Sequence, residues 1–268
     1  MKVSIVTISF NQVEFLERTL LSVLTQTGVD LEYIVCDPGS TDGSRDIIEK
    51  YRDKIAHIIY DKDKGPADGL NKGFAKATGD IYCYLNSDDT LEPGALRYAV
   101  DYFRSHPKVD VACGHAWVID RHDKRLRRVW SEPFRRVMVA YGAAVQIQPS
   151  TFIRAAAFHK TKGFNIENRS SWDAELMVDL YLTGARIRLM NAFLSTYRLH
   201  AVSITNSGKM EAQNIEWGKR RFVMLMGRSW QQRDRHLARL LRYHKHVSAP
   251  SHLLERLVRG PIFRRGVT

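Results

Sequence analysis

Ile81-Tyr-Cys-Tyr-Leu-Asn-Ser-Asp-Asp-Thr-Leu-Glu-Pro93 is the stretch on which the reading of this chain turns. Its first five residues are apolar or aromatic, a run too short for a helix, and predict a buried strand. The strand leads straight into two adjacent carboxylates, Asp88 and Asp89, and then to Pro93, a residue that suits the first turn of a helix. Acids at the end of a buried strand can hold a hard cation, Mg²⁺ or Mn²⁺, at the rim of a sheet, and the cation can hold a diphosphate. The same two residues would also serve as a turn and a helix cap, so the flanking segments must decide.

Upstream, residues 3–9 are dense in β-branched types and read as a strand. Asn11 can cap the next segment, where Phe15, Leu16, Thr19, Leu20, Val23 and Leu24 recur at helical spacing until Gly28. Residues 31–37 read as a second strand, 38–43 as a turn, 44–51 as a helix and 55–60 as a third strand. A charged loop over 62–68 precedes a helix over 68–77, which Gly79 breaks. Beyond the opening stretch, a helix over 93–105 places Leu96, Val100 and Phe103 on one face, and 109–113 return as strand. This alternation predicts an α/β fold, a mostly parallel sheet flanked by helices. Ligands of such sheets sit beyond the carboxyl ends of the strands. The residues after Ser9, Asp37 and Asp88 all fall at such ends, so three polar loops converge on one rim.

After Gly114 the rhythm changes. Residues 116–120 and 126–130 can pair across the turn at 121–124, 134–140 are weakly helical, and 148–153 enter a strand. Residues 173–183 form a helix with Leu176, Met177 and Leu180 on its apolar face, stopped by Gly184, and 187–190 and 194–199 are strand-like. With no Pro-, Gly- or Ser-rich linker and no repeat, residues 1–205 read as one catalytic domain. Residues 1–115 form its nucleotide-binding half and 116–205 its acceptor half. From about residue 217 the chain is helical and strongly basic: Asp234 and Glu255 are the only acids among a run of Arg and Lys that includes Arg264 and Arg265. Residues 206–268 thus read as a basic helical extension. A basic amphipathic helix with Trp and Leu suits an anionic bilayer surface; a solvated face packed on the domain is the other reading.

The whole chain has 268 residues, is 44% hydrophobic and carries a net charge of +12, which suits a folded core and an anionic partner. Cys36, Cys83 and Cys113 lie far apart in strand-like runs and read as buried thiols in a reducing compartment. The chain starts in a strand, from which no leader is expected, and no apolar run reaches membrane-spanning length. These features predict a cytoplasmic protein, with the tail placing it peripherally at the inner face of the cell membrane. The charge also raises nucleic-acid binding, but no zinc-finger, ribonucleoprotein or helix-turn-helix signature accompanies it, and no nucleic acid is expected.

Taken together, the motifs resemble the family 2 glycosyltransferases, inverting enzymes of the GT-A fold that include those of bacterial polysaccharide biosynthesis. Ser4-Ile-Val-Thr-Ile-Ser-Phe-Asn11 is similar to the family's opening strand. Asp37-Pro-Gly-Ser-Thr-Asp-Gly43 is similar to its Asp-Asp-Gly-Ser-Thr-Asp-Gly turn, with Pro38 in place of the second acid. Asp68-Gly-Leu-Asn-Lys-Gly73 and Ala77-Thr-Gly-Asp80 resemble the next segment, and Leu85-Asn-Ser-Asp-Asp89 its Asp-x-Asp region, with Asn86 where the first acid usually stands. Trp172-Asp-Ala-Glu-Leu176 resembles its Glu-Asp-x-Asp-Leu helix start, with Trp172 replacing an acid, and Tyr197-Arg-Leu-His200 its Tyr-Arg-x-His. The resemblance covers residues 1–205; each piece is weak alone and the ordered set is specific.

The resemblance implies a GT-A nucleotide-diphospho-sugar transferase fold. It implies an inverting, metal-dependent transfer from a nucleotide sugar, UDP-linked by preference, to a glycan or lipid-linked saccharide. Mn²⁺ or Mg²⁺ would sit at Asp88, with Asp89 and His200 as further ligands, neutralising the leaving diphosphate. Thr7, Ser9, Asn11, Asp37, Asp68, Lys72 and Ser87 would hold the nucleotide. Gln148 and Trp172 would line the acceptor site, Trp172 by stacking on a sugar. Asp173 would be the base that deprotonates the acceptor hydroxyl, its pKa lowered by the helix dipole, with Glu175 as second choice. Asp173 as a plain helix cap, His200 as a structural residue, and an inactive scaffold produced by the changes at 38, 86 and 172 are the competing readings.

Overall fold

The computed structural model describes residues 1–200, 211–248 and 250–260. In chain order the elements are β1 (Lys2–Ile8), α1 (Val13–Leu24), β2 (Asp30–Cys36), α2 (Ser44–Lys50), β3 (His57–Ile59), α3 (Pro66–Phe74), β4 (Ile81–Asn86), β5 (Thr90–Leu91), α4 (Ala95–Ser105) and β6 (Val111–Ile119). There follow β7 (Arg125–Val129), α5 (Arg136–Ala140), β8 (Thr151–Arg154), α6 (Ala155–Phe158), α7 (Trp172–Leu182), β9 (Ile187–Arg198), α8 (Glu211–Met226), α9 (Asp234–Ser248) and α10 (Pro250–Arg259).

The strands form one sheet in the order β3-β2-β1-β4-β8-β6-β9-β5, with β7 beside β6. β1 to β4 are mutually parallel, β8 opposes both β4 and β6, and β9 runs with β6. Hence β1, β2, β3, β4, β6 and β9 all point one way, as the alternation predicts. The register aligns the carboxyl ends: Ile8 lies level with Cys36 and with Asn86, and Cys36 with Ile59. Four loops therefore start at one level.

Side chains alternate across a strand, and the core divides accordingly. Val3, Ile5 and Val35 pack with Leu16 and Leu20 of α1 and with Leu96, Val100 and Phe103 of α4. Val6, Ile34 and Cys36 pack on the other face with Leu70 and Phe74 of α3 and Leu176 and Leu180 of α7. α3 lies very close to the sheet. A Cβ at Gly73 would stand 2.4 Å from Val6 Cγ1 and 3.1 Å from Cys36 Sγ. Gly73→Ala should therefore cost about 1–3 kcal/mol of stability through overpacking, read from urea unfolding; an unchanged midpoint would show that α3 can shift freely.

Several expectations change. Pro93 does not open a helix: after a short β5, Gly94 with φ 77° precedes α4. Asn11 takes φ 52°, and Gln12 rather than Asn11 is the N-cap of α1. Residues 109–113 and 116–120 do not form separate strands but one bulged β6. Gly114 lies inside it because β9 passes so near that a Cβ would meet Leu194 Cδ1 at 2.7 Å. Residues 187–198 are likewise one strand.

The basic extension packs on the domain. Trp217, Phe222 and Leu225 of α8 are buried with Val139, Ala140 and Val178. Asp234 at the start of α9 accepts bonds from Tyr141 (2.6 Å) and Arg228 (2.7 Å), and Glu255 of α10 accepts from the Arg128 amide (2.9 Å). The boundary expected near residue 205, and Arg264 and Arg265, lie outside the described residues.

Candidate active site

The first two rim loops are tied together by local polar residues. Asn11 donates its amide to Ser40 Oγ (2.8 Å) and accepts from Thr41 N (2.9 Å); Gln12 N reaches Ser44 Oγ (3.0 Å) and Val13 N reaches Asp42 Oδ2 (2.9 Å). Asp37 is fully buried, and its carboxylate accepts from the amides of Gly39 and Ser40, from Ser40 Oγ and from Arg45 Nε. In this structure these bonds order the loop around it. Thr7 is also fully buried, accepting the Tyr33 hydroxyl at 2.9 Å, so its side chain belongs to the sheet and not to a ligand. Ser9 is buried with an unpartnered hydroxyl, whereas Phe10, which the sequence reading passed over, is 58% exposed on the rim.

The loop after β3 closes the same side. Asp68 in the first turn of α3 accepts from the Lys64 amide (2.9 Å), and Lys72 lies 3.5 Å from Asp68 and donates to the Lys62 carbonyl. Asp63, also missed by sequence, accepts from Gly65 N, and burial raises its pKa. Asp68 and Lys72 thus shape a loop that stands beside Asp37.

At the end of β4, Thr19 of α1 donates to the Ser87 and Asp89 carbonyls, both at 2.8 Å, and fixes the turn from beneath. Ser87 is buried. Asp88 is half-buried, and its Oδ2 lies 2.9 Å from His200 Nε2. Asp89 faces inward: it accepts the Arg198 amide at 2.9 Å and is 1% exposed. Burial first, and the Asp88 charge second, push its pKa well above the usual carboxylate range. An inward-facing carboxyl of this kind is a structural group, which corrects its assignment as a metal ligand. Among the described residues no cluster of three or more His, Cys, Asp or Glu offers a metal cage.

Arg198 organises this turn. Its side chain is fully buried, donates from Nε to the Asp88 carbonyl (2.7 Å) and from Nη1 to the Asp120 carbonyl (2.8 Å), and pairs with Asp123 at 2.6 Å. Its guanidinium lies over Phe15, which also packs against His200. The Tyr197-Arg-Leu-His200 motif contained Arg198, but only its tertiary neighbours reveal the role.

The acceptor half meets this turn from across β4. Gln148 donates to the Tyr84 carbonyl (2.7 Å) and accepts from Asn86 Nδ2 (3.3 Å), so the amide that replaces the family's first acid is bonded to Gln148. Asp173, in the first turn of α7, is half-buried; the Tyr84 hydroxyl has its pKa raised by burial first and by the Asp173 charge second. Burial raises the Asp173 pKa, and the amides of Ala174 and of Asp173 itself only partly offset it. The expected lowering by the helix dipole is thus outweighed by desolvation. Trp172 is 8% exposed and belongs to the core beneath α7, so it is not an open stacking platform.

Glu175 is also buried, and its oxygens accept from Asn165 (3.0 Å), Asn168 (2.6 Å) and Arg220. A carboxylate held by three donors links α7 to α8 and is poorly placed to take a proton. Glu175→Gln should leave turnover near that of wild type while costing about 1.5–3 kcal/mol of stability. A collapse of turnover in a folded variant would return Glu175 to the list of bases.

A sequence profile of the family described as Glycosyl transferase family 2 matches residues 4–162. The chain is 28% identical over 207 residues to the UDP-Glc:α-D-GlcNAc-diphosphoundecaprenol β-1,3-glucosyltransferase WfaP of Escherichia coli, covering 76% of this chain and 79% of that protein. Against three other curated relatives the chain spans 66%, 41% and 33% of their own lengths. Among solved structures, Staphylococcus aureus TarS 1–349 in complex with UDP-GlcNAc matches with a TM-score of 0.69 at 19% identity, over 92% of this chain and 73% of that one. The mannosyltransferase PcManGT of Pyrobaculum calidifontis, in complex with GDP-Man and Mn²⁺, matches with a TM-score of 0.63 at 14% identity, over 96% and 73%. At these identities the structural likeness speaks for a GT-A-like fold and no further. With more than half of its length, the Asp88 turn included, inside the family profile, this chain belongs to glycosyl transferase family 2.

Proposed function

We propose that the enzyme transfers a sugar from a UDP-sugar to a glycan or lipid-linked saccharide by single displacement with inversion, using Asp173 as the base. One observation carries this reading. A half-buried carboxylate whose pKa is raised by burial stands close enough to Tyr84 for its charge to act there, and Tyr84 lies near the end of β4, before the Asp88 turn. A base works best when its pKa approaches the operating pH. Asp173 accepts the proton of the acceptor hydroxyl, the oxygen bonds to the anomeric carbon, and the nucleoside diphosphate leaves with the electron pair of the broken bond.

The donor side is the rim. The Ser9–Asn11 loop and the loop ordered by Asp37 receive the nucleoside, with Phe10 as an exposed ring beside them. Asp88 and His200 provide one carboxylate and one imidazole 2.9 Å apart, both largely buried at the turn. That donor set fits Mn²⁺ or Mg²⁺, which keep most of their positions for phosphate oxygens and water. When bound, the ion would neutralise charge on the leaving diphosphate. A UDP donor is supported by the sugar nucleotides in the names of the E. coli relative and of the TarS complex, and Mn²⁺ by that of the PcManGT complex.

A lipid-linked acceptor agrees with the extension. α9 exposes Leu240, Tyr243 and Val247, and α10 exposes Leu254, Leu257 and Val258, among several arginines. Apolar residues flanked by arginine suit the surface of an anionic bilayer. Among the described residues no helix is long and apolar enough to cross a membrane.

Thermal unfolding with UDP, GDP and dTDP, each with and without Mn²⁺, tests the donor reading on wild type and Asp88→Ala. At saturation UDP with Mn²⁺ should raise the wild-type melting temperature by about 5–10 °C, and Asp88→Ala should lose most of that shift. No shift with any nucleotide would remove the donor site from this rim, and an undiminished shift in Asp88→Ala would remove Asp88 from the metal.

A further inference from the structure

The extension carries a second polar feature, separate from the carboxylates of the rim. A cleft of about 600 Å³ lies between the end of α5, the middle of α8 and α9. Two of its walls bear cations, Lys219 and Arg221 on α8 and Arg242 on α9, and among the described residues no carboxylate lines it. Three acids of this region are engaged elsewhere: Asp234 with Arg228 and Tyr141, Glu132 with Lys245, and Glu175 with Arg220. None of the three cations has an ion pair among the described residues.

Arg221 is the most constrained of them. Its Nε is buried without a hydrogen-bond partner, and a terminal nitrogen lies against Gly142, where a Cβ would stand 2.9 Å away. Burial, and then the charge of Arg242, lower its pKa. Nε is sealed from the cleft, but Arg221 is only half-buried and still lines it beside Arg242. An anion in the cleft would offset the repulsion between Arg221 and Arg242.

We propose that this cleft is a binding site for a phosphate ester, taken between Arg221 and Arg242 with Lys219 at its edge. Two guanidinium forks and an ammonium match the several oxygens and the charge of a phosphate better than they match one carboxylate. The volume exceeds that of phosphate alone, and Trp230 and Val223 give the remainder an apolar wall for a glycerol or sugar carried on the ester. The ester can arrive as an acidic lipid headgroup or as a soluble phosphorylated compound. The inference does not depend on the donor reading, because none of the rim carboxylates lines the cleft.

The test is calorimetric titration with sn-glycerol 3-phosphate in the absence of divalent metal, alongside flotation with phosphatidylglycerol and with phosphatidylcholine vesicles. Wild type, Arg221→Gln, Arg242→Gln and Arg221→Lys are compared with Arg235→Gln, which removes the same charge from the exposed surface of α9 outside the cleft. Glycerophosphate affinity should fall about tenfold or more in each Gln variant of the cleft, be partly restored in Arg221→Lys, and stay at the wild-type level in Arg235→Gln. Parallel loss of phosphatidylglycerol binding identifies a lipid headgroup site, and intact vesicle binding identifies a site for a soluble phosphate; either supports the proposal. Absence of glycerophosphate binding by wild type, or equal affinity in Arg242→Gln and Arg235→Gln, overturns it. Arg242 is exposed, so this comparison does not depend on how well Arg221→Gln folds.

Discussion

Asp173→Asn should lower turnover by on the order of 10³-fold while leaving nucleotide binding nearly unchanged. The substitution keeps the size of the side chain and removes only its capacity to take a proton. The variant should also melt no lower than wild type at neutral pH. The sign follows from the raised pKa. A carboxyl whose folded-state pKa is raised by burial favours the folded protein while it is protonated, and destabilises it as pH rises and the buried group ionises. Asn cannot ionise and is spared that cost. The same shift sets the pH profile. The wild-type rate should fall as pH drops through a midpoint above the usual carboxylate range, and the residual activity of the variant should lack that limb. Turnover within tenfold of wild type, measured on protein of unchanged melting temperature, would remove Asp173 as the base.

Arg198→Ala should cost about 3–5 kcal/mol, within the range for leaving two buried carbonyls without donors at about 1–3 kcal/mol each. That corresponds to roughly 6–20 °C in melting temperature for a chain of this size. The loss is large because Arg198 serves several partners at once. Without it the carbonyls of Asp88 and Asp120 lose their donors, and Asp89 loses the positive charge that offsets its burial. Asp123 is 46% exposed and can return to water, so it contributes little to the cost. The turn carrying Asp88 should also loosen, and metal-dependent nucleotide binding should weaken even where the variant remains folded. Arg198→Lys should recover only part of either effect, because an ammonium cannot span the same acceptors. A melting temperature within about 2 °C of wild type would show that the turn stands without this anchor.

Much of the donor side was legible because its signals are local. The strand at 81–86, the helix after Asn11 and the polar turn at 38–43 follow from composition and spacing within a few residues. The loops named as the rim do start at one level, because parallel strands of similar length end together. The roles of individual side chains were less legible. Asp37, Thr7 and Asp89 sit in the expected loops and strands, but each points inward and meets a partner distant in sequence or fixed by the turn. Trp172 went the same way, into the core of the second layer.

The sequence by itself determined the order of strands and helices, the place of the acidic turn at the end of β4, the family motifs and the basic character of the last quarter. All of these depend on residue type, periodicity and short spacing. Only the tertiary structure decided which carboxylates remain available. Asp89 is sealed under Arg198, Glu175 is taken by Asn165, Asn168 and Arg220, and Asp173 is left half-buried with its pKa raised. It also decided that the basic extension folds back on the domain and encloses a cleft with uncompensated arginines. Desolvation and hydrogen bonding depend on neighbours brought together by the sheet register and by helix packing, and that proximity is not a property of any local stretch of sequence.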